Sequence, residues 1–532
     1  MLPSENRHRF RLLPLMVMAF LMSAVEGARI LAIFPSPARS HQIVFRAFVE
    51  ALVERGHELT VMTPDPIPLQ AVNGSIQQID WSYVYKVVES ECDVAKVSQE
   101  GWNTLKVTQQ VLLVTEMFIK AELGHPEVQR MIKDRRDQFD AVIVEYYQMT
   151  PFYAFAEFYG APLIGITSIE SISVAHRAVG NIDNPVAHPE YHHKFTRNLR
   201  FVQRLEAFIT RLVLDYFILP KEFEKYDKII ESHFGSNMSK SSQLMGRIDF
   251  LLTNADPSLG FIRPTVPQSI QLGFLHVKPP KPLPEDLRLY LDNSHRGVIY
   301  FSLGTLIRTD TVSQRNVQLF VDAFKTLHYD VLWKWDNGID LDGSSNIRTV
   351  PWVPQQDLLA HPNVKLFVTQ GGQQSMEEAV DRQVPMVVIP FNFDQFGNGD
   401  KVVERGIGKT IWMEHLTTEN LREAILEVIG NKKYKRNIER LAKLVRDQPM
   451  RPLDKAVWWT EYVIRHQGAS HLRYKQAQMP AWQYHYYDVV ATLLATALVV
   501  LALVAYVLKR LLSYLLLRAQ SWQVRRVKQK AL

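Results

Sequence analysis

Residues Phe367–Gly408 read FVTQGGQQSMEEAVDRQVPMVVIPFNFDQFGNGDKVVERGIG. The run grows out of an apolar segment, Lys365–Thr369, that suits a buried strand, breaks at Gly371-Gly372, and resumes as a helix carrying Glu377 and Glu378. A strand, a glycine turn and a helix N-terminus together present free backbone N–H groups and the positive end of a helix dipole, which suits a phosphate. Pro385–Pro390 then reads as a second buried parallel strand leading into Phe393-Asp394-Gln395. Polar side chains at the carboxyl end of such a strand stand at the mouth of an α/β sheet, where ligands bind. An anion cradle and a hydroxyl-binding pair on one crevice are what a nucleotide-sugar needs.

Outward from this stretch the same grammar repeats. Arg29–Phe34 (strand), Ile43–Arg55 (helix) and Glu58–Thr63 (strand) form a βαβ unit, and Ala141–Glu145, Phe152–Tyr159 and Pro162–Thr167 form another. Residues 168–248 are aromatic-rich and helix-leaning, an expected insertion beside an apolar site. The proline-rich KPPKPLP, Lys278–Pro284, suits neither helix nor strand and reads as a linker. Strands at Val298–Ser302, Val331–Trp335, Leu366–Thr369 and Met386–Ile389 follow, alternating with helices such as Ser313–Thr326 and Thr418–Ile429. The expected architecture is two Rossmann-like halves, residues 28–277 and 285–488.

With 532 residues, 47 % of them apolar, the chain can fill two or three cores. Arg7, Arg9 and Arg11 precede the apolar run Leu12–Ala24, and small residues precede Ala28, so residues 1–27 read as a signal peptide. Val489–Leu508 is uncharged and matches the roughly 20 residues of a membrane-spanning helix. Aromatic residues Trp482, Tyr484, Tyr486 and Tyr487 precede it, and a tail with seven basic and no acidic residues, 509–532, follows. The charge asymmetry predicts a cytoplasmic tail and a lumenal body. Those seven charges exceed the net +6 of the chain, so the body is near neutral and no nucleic-acid groove is implied. Lys528 and Lys530 near the C-terminus resemble a dilysine signal for the endoplasmic reticulum. Cys92 is the only cysteine, which rules out an intramolecular disulfide framework. Asn73 and Asn237 begin glycosylation sequons.

Trp352-Val353-Pro354-Gln355-Gln356, Thr369-Gln370-Gly371-Gly372, Glu378 and Asp394-Gln395 resemble, in order and spacing, the donor-binding signature of the family 1 UDP-glycosyltransferases, the membrane-bound UDP-glucosyl/glucuronosyltransferases of animals. Phe301-Ser302-Leu303-Gly304-Thr305, the block Asp447–Asp454 and the C-terminal anchor extend the resemblance over nearly the whole chain. It implies the GT-B fold, with two Rossmann-like domains facing a cleft, and a UDP-sugar as co-substrate. Trp352 would stack on uracil, Gln355 bond its edge, and Glu378 accept from the ribose hydroxyls. Backbone N–H groups of Gly371, Gly372 and Gln373, helped by Gly304, Thr305 and Gln370, would hold the diphosphate, and Asp394 and Gln395 the sugar. Gln370 departs from the histidine of many members and resembles arthropod and baculoviral ones, which favours glucose over glucuronate.

The resemblance also places the catalytic base at His41, after the first strand, with Glu145 as the carboxylate that orients it, where aspartate is commoner. The implied reaction is a single displacement with inversion at the anomeric carbon, with no metal. The acceptor would be a small lipophilic molecule in the N-terminal half, where Phe152, Tyr153, Phe155, Phe158 and Tyr159 are either site wall or core. No Gly-x-Gly-x-x-Gly follows either first strand, which counts against a dinucleotide enzyme. A non-catalytic binding protein of the same fold is the rival reading, and homo-oligomerisation is left open.

Overall fold

The structure is a computed structural model and describes residues 27–68, 75–91, 103–170, 172–305, 312–335, 339, 341 and 343–530. The expected signal peptide up to Glu26, Asn73, Cys92 and the last two residues of the tail lie outside these.

Among the described residues thirteen strands form two sheets, each parallel throughout. The first is built from β1 (Arg29–Ile33), β2 (Glu58–Thr63), β3 (Ile76–Asp80), β4 (Ala141–Glu145), β5 (Leu163–Thr167), β6 (Phe250–Thr253) and β7 (Ser269–Gln271), in the order β3-β2-β1-β4-β5-β6-β7. The second is built from β8 (Val298–Ser302), β9 (Asp330–Lys334), β10 (Ile347–Val350), β11 (Val364–Thr369), β12 (Met386–Val388) and β13 (Gly408–Thr410), in the order β10-β9-β8-β11-β12-β13. Central strands are buried on both faces and so read as unbroken apolar runs, such as AVIVE in β4 and VIYFS in β8. Strand order reverses between β1 and β4 and again between β8 and β11, giving each sheet a crevice at its carboxyl edge.

The helix after β1 begins at Arg39, four residues earlier than its apolar periodicity suggests, and takes His41 into its first turn. Phe152, Tyr153 and Phe155 are fully buried, and Phe158 and Tyr159 pack against the same cluster; all five belong to the core. The helix Pro452–Arg465 returns to the first sheet, where Ala456, Val457 and Val463 join the core of Ile30 and Phe48, and Arg55 bonds Glu461 at 2.9 Å.

The chain divides after Tyr474 into two compact units, with both sheets in the first. The second carries the long helix Tyr487–Lys530, which contains the expected span and continues through the basic tail. Its Tyr487–Val527 stretch is long and apolar enough to cross a membrane, with mean hydropathy 2.6 in its most apolar window.

Candidate active site

His41 and Glu145 meet because β1 and β4 are neighbours: Ile33 pairs with Val144, so the next residue of β4 faces the turn that follows β1. His41 Nδ1 lies 2.8 Å from Glu145 Oε1, and Glu145 Oε2 accepts the Ser36 N–H at 3.0 Å. The carboxylate is wholly buried while the imidazole keeps 22 % of its side chain exposed. The longer side chain of glutamate therefore spans the gap. A carboxylate against Nδ1 places the hydrogen there and leaves Nε2 as the acceptor on the open side. Gln42 locks this turn from beneath, donating to the Phe34 and Ser36 carbonyls at 3.0 and 2.8 Å and accepting from Thr63 at 2.9 Å. A buried glutamine beside a histidine in a first helical turn was the one sequence signal for it.

In the second sheet the loops after β8 and β11 touch. Gly304 has φ +76°, and a Cβ there would stand 1.9 Å from Gln370 Nε2. Gly371, at φ +86°, would press a Cβ to 2.5 Å from Val388 Cγ1. Both backbone angles thus favour glycine, and at Gly371 the packing against Val388 does so as well. The turn feeds the helix Gln373–Asp381, with Gly372 at its N-cap. Two of the expected phosphate donors already have acceptors: Gly371 N–H reaches Thr369 Oγ1 at 3.3 Å, and Gln373 N–H reaches Asp394 Oδ2 at 3.1 Å. The Asp394 carboxylate occupies the dipole end of the helix, the place an anion favours. Burial pushes that carboxyl up from its ordinary value, while the Gln373 N–H, Lys401 and His41 draw it back down. His41 of the first sheet is therefore within electrostatic reach of Asp394 in the second. Gln395 Oε1 accepts from the Phe391 and Asn392 N–H groups at 2.9 and 3.1 Å. Thr305 is exposed at the loop edge, and Lys334, which sequence reading passed over, donates to the Gly304 carbonyl at 2.9 Å.

Trp352 follows β10 and is 69 % exposed, so its indole is a surface platform and no core residue. The Gln355 side chain differs from expectation. Its Nε2 donates to Glu378 Oε2 at 2.6 Å and Ser375 at 3.0 Å, and its Oε1 accepts from the Tyr300 hydroxyl at 3.1 Å. An amide so engaged holds Glu378 in place and has little left for a base edge. Glu378 is buried, as is its neighbour Glu377, and His276 lies between them, 3.2 Å from Glu378 Oε1 and 3.5 Å from Glu377 Oε2. Burial pushes Glu377 up to about 7, and the two carboxylates raise His276 against its own desolvation.

The halves are tied by the side chain of Gln373, which the motif reading used only for its backbone, and by those of Gln374 and Lys401. Gln373 donates to the Asn254 carbonyl and accepts the Glu170 N–H at 3.0 Å; Gln374 donates to the Ser168 carbonyl at 2.9 Å; Lys401 reaches Glu170 at 3.3 Å. Asn237 is exposed in the turn after a helix, open to modification.

Residues 29–519 match the family profile described as UDP-glucoronosyl and UDP-glucosyl transferase. The UDP-glucosyltransferase 2 of Dactylopius coccus is 32 % identical over 503 residues, 94 % of this chain and 96 % of that protein. An ecdysteroid UDP-glucosyltransferase of Lacanobia oleracea granulosis virus is 32 % identical over 86 % of this chain and 98 % of its own, and mouse UDP-glucuronosyltransferase 1A6 is 29 % identical over 91 % of each. Among solved structures, Os79 from O. sativa in complex with U2F and trichothecene aligns with a TM-score of 0.55 at 16 % identity, covering 82 % of this chain and all of that one. The glycosyltransferase VinC in complex with DTDP gives 0.53 at 18 %, with 82 % and 100 % covered. These likenesses show the fold, GT-B.

Proposed function

This chain belongs to the UDP-glucuronosyl and UDP-glucosyl transferase family and is a glycosyltransferase, and from that premise we propose that it moves glucose from UDP-glucose to the hydroxyl of a small lipophilic acceptor with inversion. The observation that carries the reading is the His41–Glu145 pair at 2.8 Å, set opposite the glycine cradle of the second sheet. His41 Nε2 takes the acceptor's hydroxyl proton as the oxygen bonds to the anomeric carbon. The bond from that carbon to the diphosphate breaks, and UDP leaves with the electron pair. Glu145 holds the imidazole in register and offsets its charge as it becomes imidazolium. The helix N-terminus at Gly372, with Gln370 and Thr305 beside it, offsets the charge that develops on the leaving diphosphate. Trp352 stacks on uracil, Glu378 accepts from the ribose, and Asp394 with Gln395 receives the sugar once a phosphate has displaced the Asp394 carboxylate from the helix end.

Glucose is favoured by Gln370 and by relatives named as glucosyltransferases, and a hydroxylated lipophile by viral relatives named for ecdysteroids. Hormone or pigment conjugation and detoxification are the roles this chemistry serves. UDP-sugar is the co-substrate in this proposal, with no metal. The assignment extends to residues 28–277 as acceptor half, 285–488 as donor half, a span at 489–508, and residence in the endoplasmic reticulum with the sheets lumenal.

Membranes carrying the chain, given UDP-glucose or UDP-glucuronate with a phenol or an alcohol, test the reading through UDP release and isolation of the conjugate. Conjugate formation from UDP-glucose, undiminished by EDTA, is expected. A preference for UDP-glucuronate refutes the donor assignment, and UDP binding without conjugate across a broad acceptor set supports a binding protein.

A further inference from the structure

The chain leaves the first sheet after β7, turns at Gly273 and Phe274, both at positive φ, and carries His276 against the helix Gln373–Asp381 of the second sheet. Its backbone is pinned there on either side of the ring. The His276 carbonyl accepts from Gln356 Nε2 at 3.3 Å, and the Lys278 N–H donates to Gln356 Oε1 at 3.1 Å. His276, Glu377 and Glu378 are only 2, 1 and 5 % exposed.

An ionised carboxylate taken out of water is strongly disfavoured unless a countercharge stands beside it. Arg382, at the end of the same helix, does not supply one: its guanidinium is taken by Asp381 at 2.6 Å and by the Gln356 and Lys278 carbonyls. Among the described residues the one charged side chain within ion-pair distance of Glu378 is His276, at 3.2 Å. Glu377 shares the ring at 3.5 Å but has neutral donors of its own, Gln373 Nε2 at 2.9 Å and Asn254 Nδ2 at 3.4 Å. Burial draws the imidazole down from its ordinary value, and the Glu378 and Glu377 carboxylates more than offset that, which favours the cation.

Glu378 keeps acceptor capacity to spare. Its two oxygens offer about four lone-pair sites, of which Gln355 and His276 take two. Two neighbouring ribose hydroxyls need two acceptors, and only an ionised carboxylate accepts at every site; a protonated one turns one oxygen into a donor.

We propose that His276, as an imidazolium, is the positioning residue of ribose recognition: from the segment that leaves the first half it holds Glu378 charged and aimed, so that both ribose hydroxyls donate to one carboxylate. The proposal rests on Glu378 as the ribose acceptor and adds the residue that makes it one.

Calorimetry on the detergent-solubilised full chain, titrated with UDP and with the UDP analogue lacking both ribose hydroxyls, reads the ribose contribution as the ratio of the two affinities. Two bonds to a charged acceptor are expected to make that ratio roughly 30-fold or more. His276→Gln keeps a donor without the charge, and its combination with Glu377→Gln removes one of the carboxylates left unpaired, which guards against loss of folding. Both variants are expected to cut the ratio to about threefold while the analogue binds as before. A ratio unchanged in both overturns the proposal, and so do equal losses for the two ligands, which would make His276 structural only. Glu378→Gln separates premise from proposal. A ratio that survives this change refutes Glu378 as the ribose acceptor, whereas a ratio lost here and kept in the His276 variants refutes the role of His276 alone.

Discussion

The chain leaves β1 and β11 at the same topological place, the reversal point of a parallel sheet, and enters a helix each time. After β1 it presents a side chain, His41, held by a carboxylate from the next strand, 104 residues away in sequence. After β11 it presents backbone, Gly371-Gly372, packed on the adjoining loop at Gly304 and on Val388 of the next strand. A proton-transfer group needs a partner fixed from a separate element, because local backbone cannot orient an imidazole and offset its charge. A phosphate cradle needs only close approach, which one turn supplies. One half is thereby suited to the chemical step and the other to donor binding.

Breaking the chemical half should have the largest effect. His41→Ala is expected to lower turnover by roughly 100-fold or more, the usual share of a positioned base, with UDP affinity by calorimetry unchanged. An alcohol acceptor is the stricter substrate, since a phenol reacts partly without help; near-normal turnover with it would move the base elsewhere. Trp352→Ala probes the donor half. Stacking on a base is worth about 1–3 kcal/mol, so UDP should bind some 30-fold more weakly while turnover at saturating donor holds; equal losses in both would dissolve the division between the halves. Glu145→Gln refines it: a neutral amide still orients His41 but does not offset the imidazolium, and losing a charge-assisted bond for a neutral one should cost turnover about tenfold with UDP affinity intact.

The smallest effect is on stability. Glu377 has its folded value raised from 4.5 to about 7 by burial, and the neighbouring carboxylates raise His276. Raised groups bind protons more tightly when folded, so their contribution is present below the unfolded value and fades as pH rises. The thermal midpoint should accordingly fall between about pH 4.5 and 7, and Glu377→Gln should flatten that slope; an unchanged slope would show that Glu377 ionises freely in the fold.

Legibility followed the same division. The contiguous cradle, its glycines and Trp352 could be read directly, whereas the engagement of Gln355 with Glu378 and the inter-half bonds of Gln373 and Gln374 could not. Their partners, Tyr300, Asn254 and Ser168, stand far off in sequence. Strands divided likewise. β3, β7, β10 and β13 are the edges of the two sheets, mostly half-exposed and polar (IQQID, SIQ, IRTV, GKT), and gave no apolar run to find.

What the sequence alone determined is what depends on neighbours in the chain: buried central strands from apolar runs, the glycine turn before a helix, an apolar stretch of about 20 residues long enough to cross a membrane, and a family signature whose spacing is local. Tertiary structure decided what depends on partners brought from a distance. It set the 2.8 Å between His41 and Glu145, the diversion of Gln355 to Glu378, and the placing of five aromatics in the core instead of an acceptor wall. It also turned the apolar face of Phe201–Val213 outward, because periodicity gives a helix its stripe but only packing, here onto the ion pairs of Arg211, selects which side meets the protein.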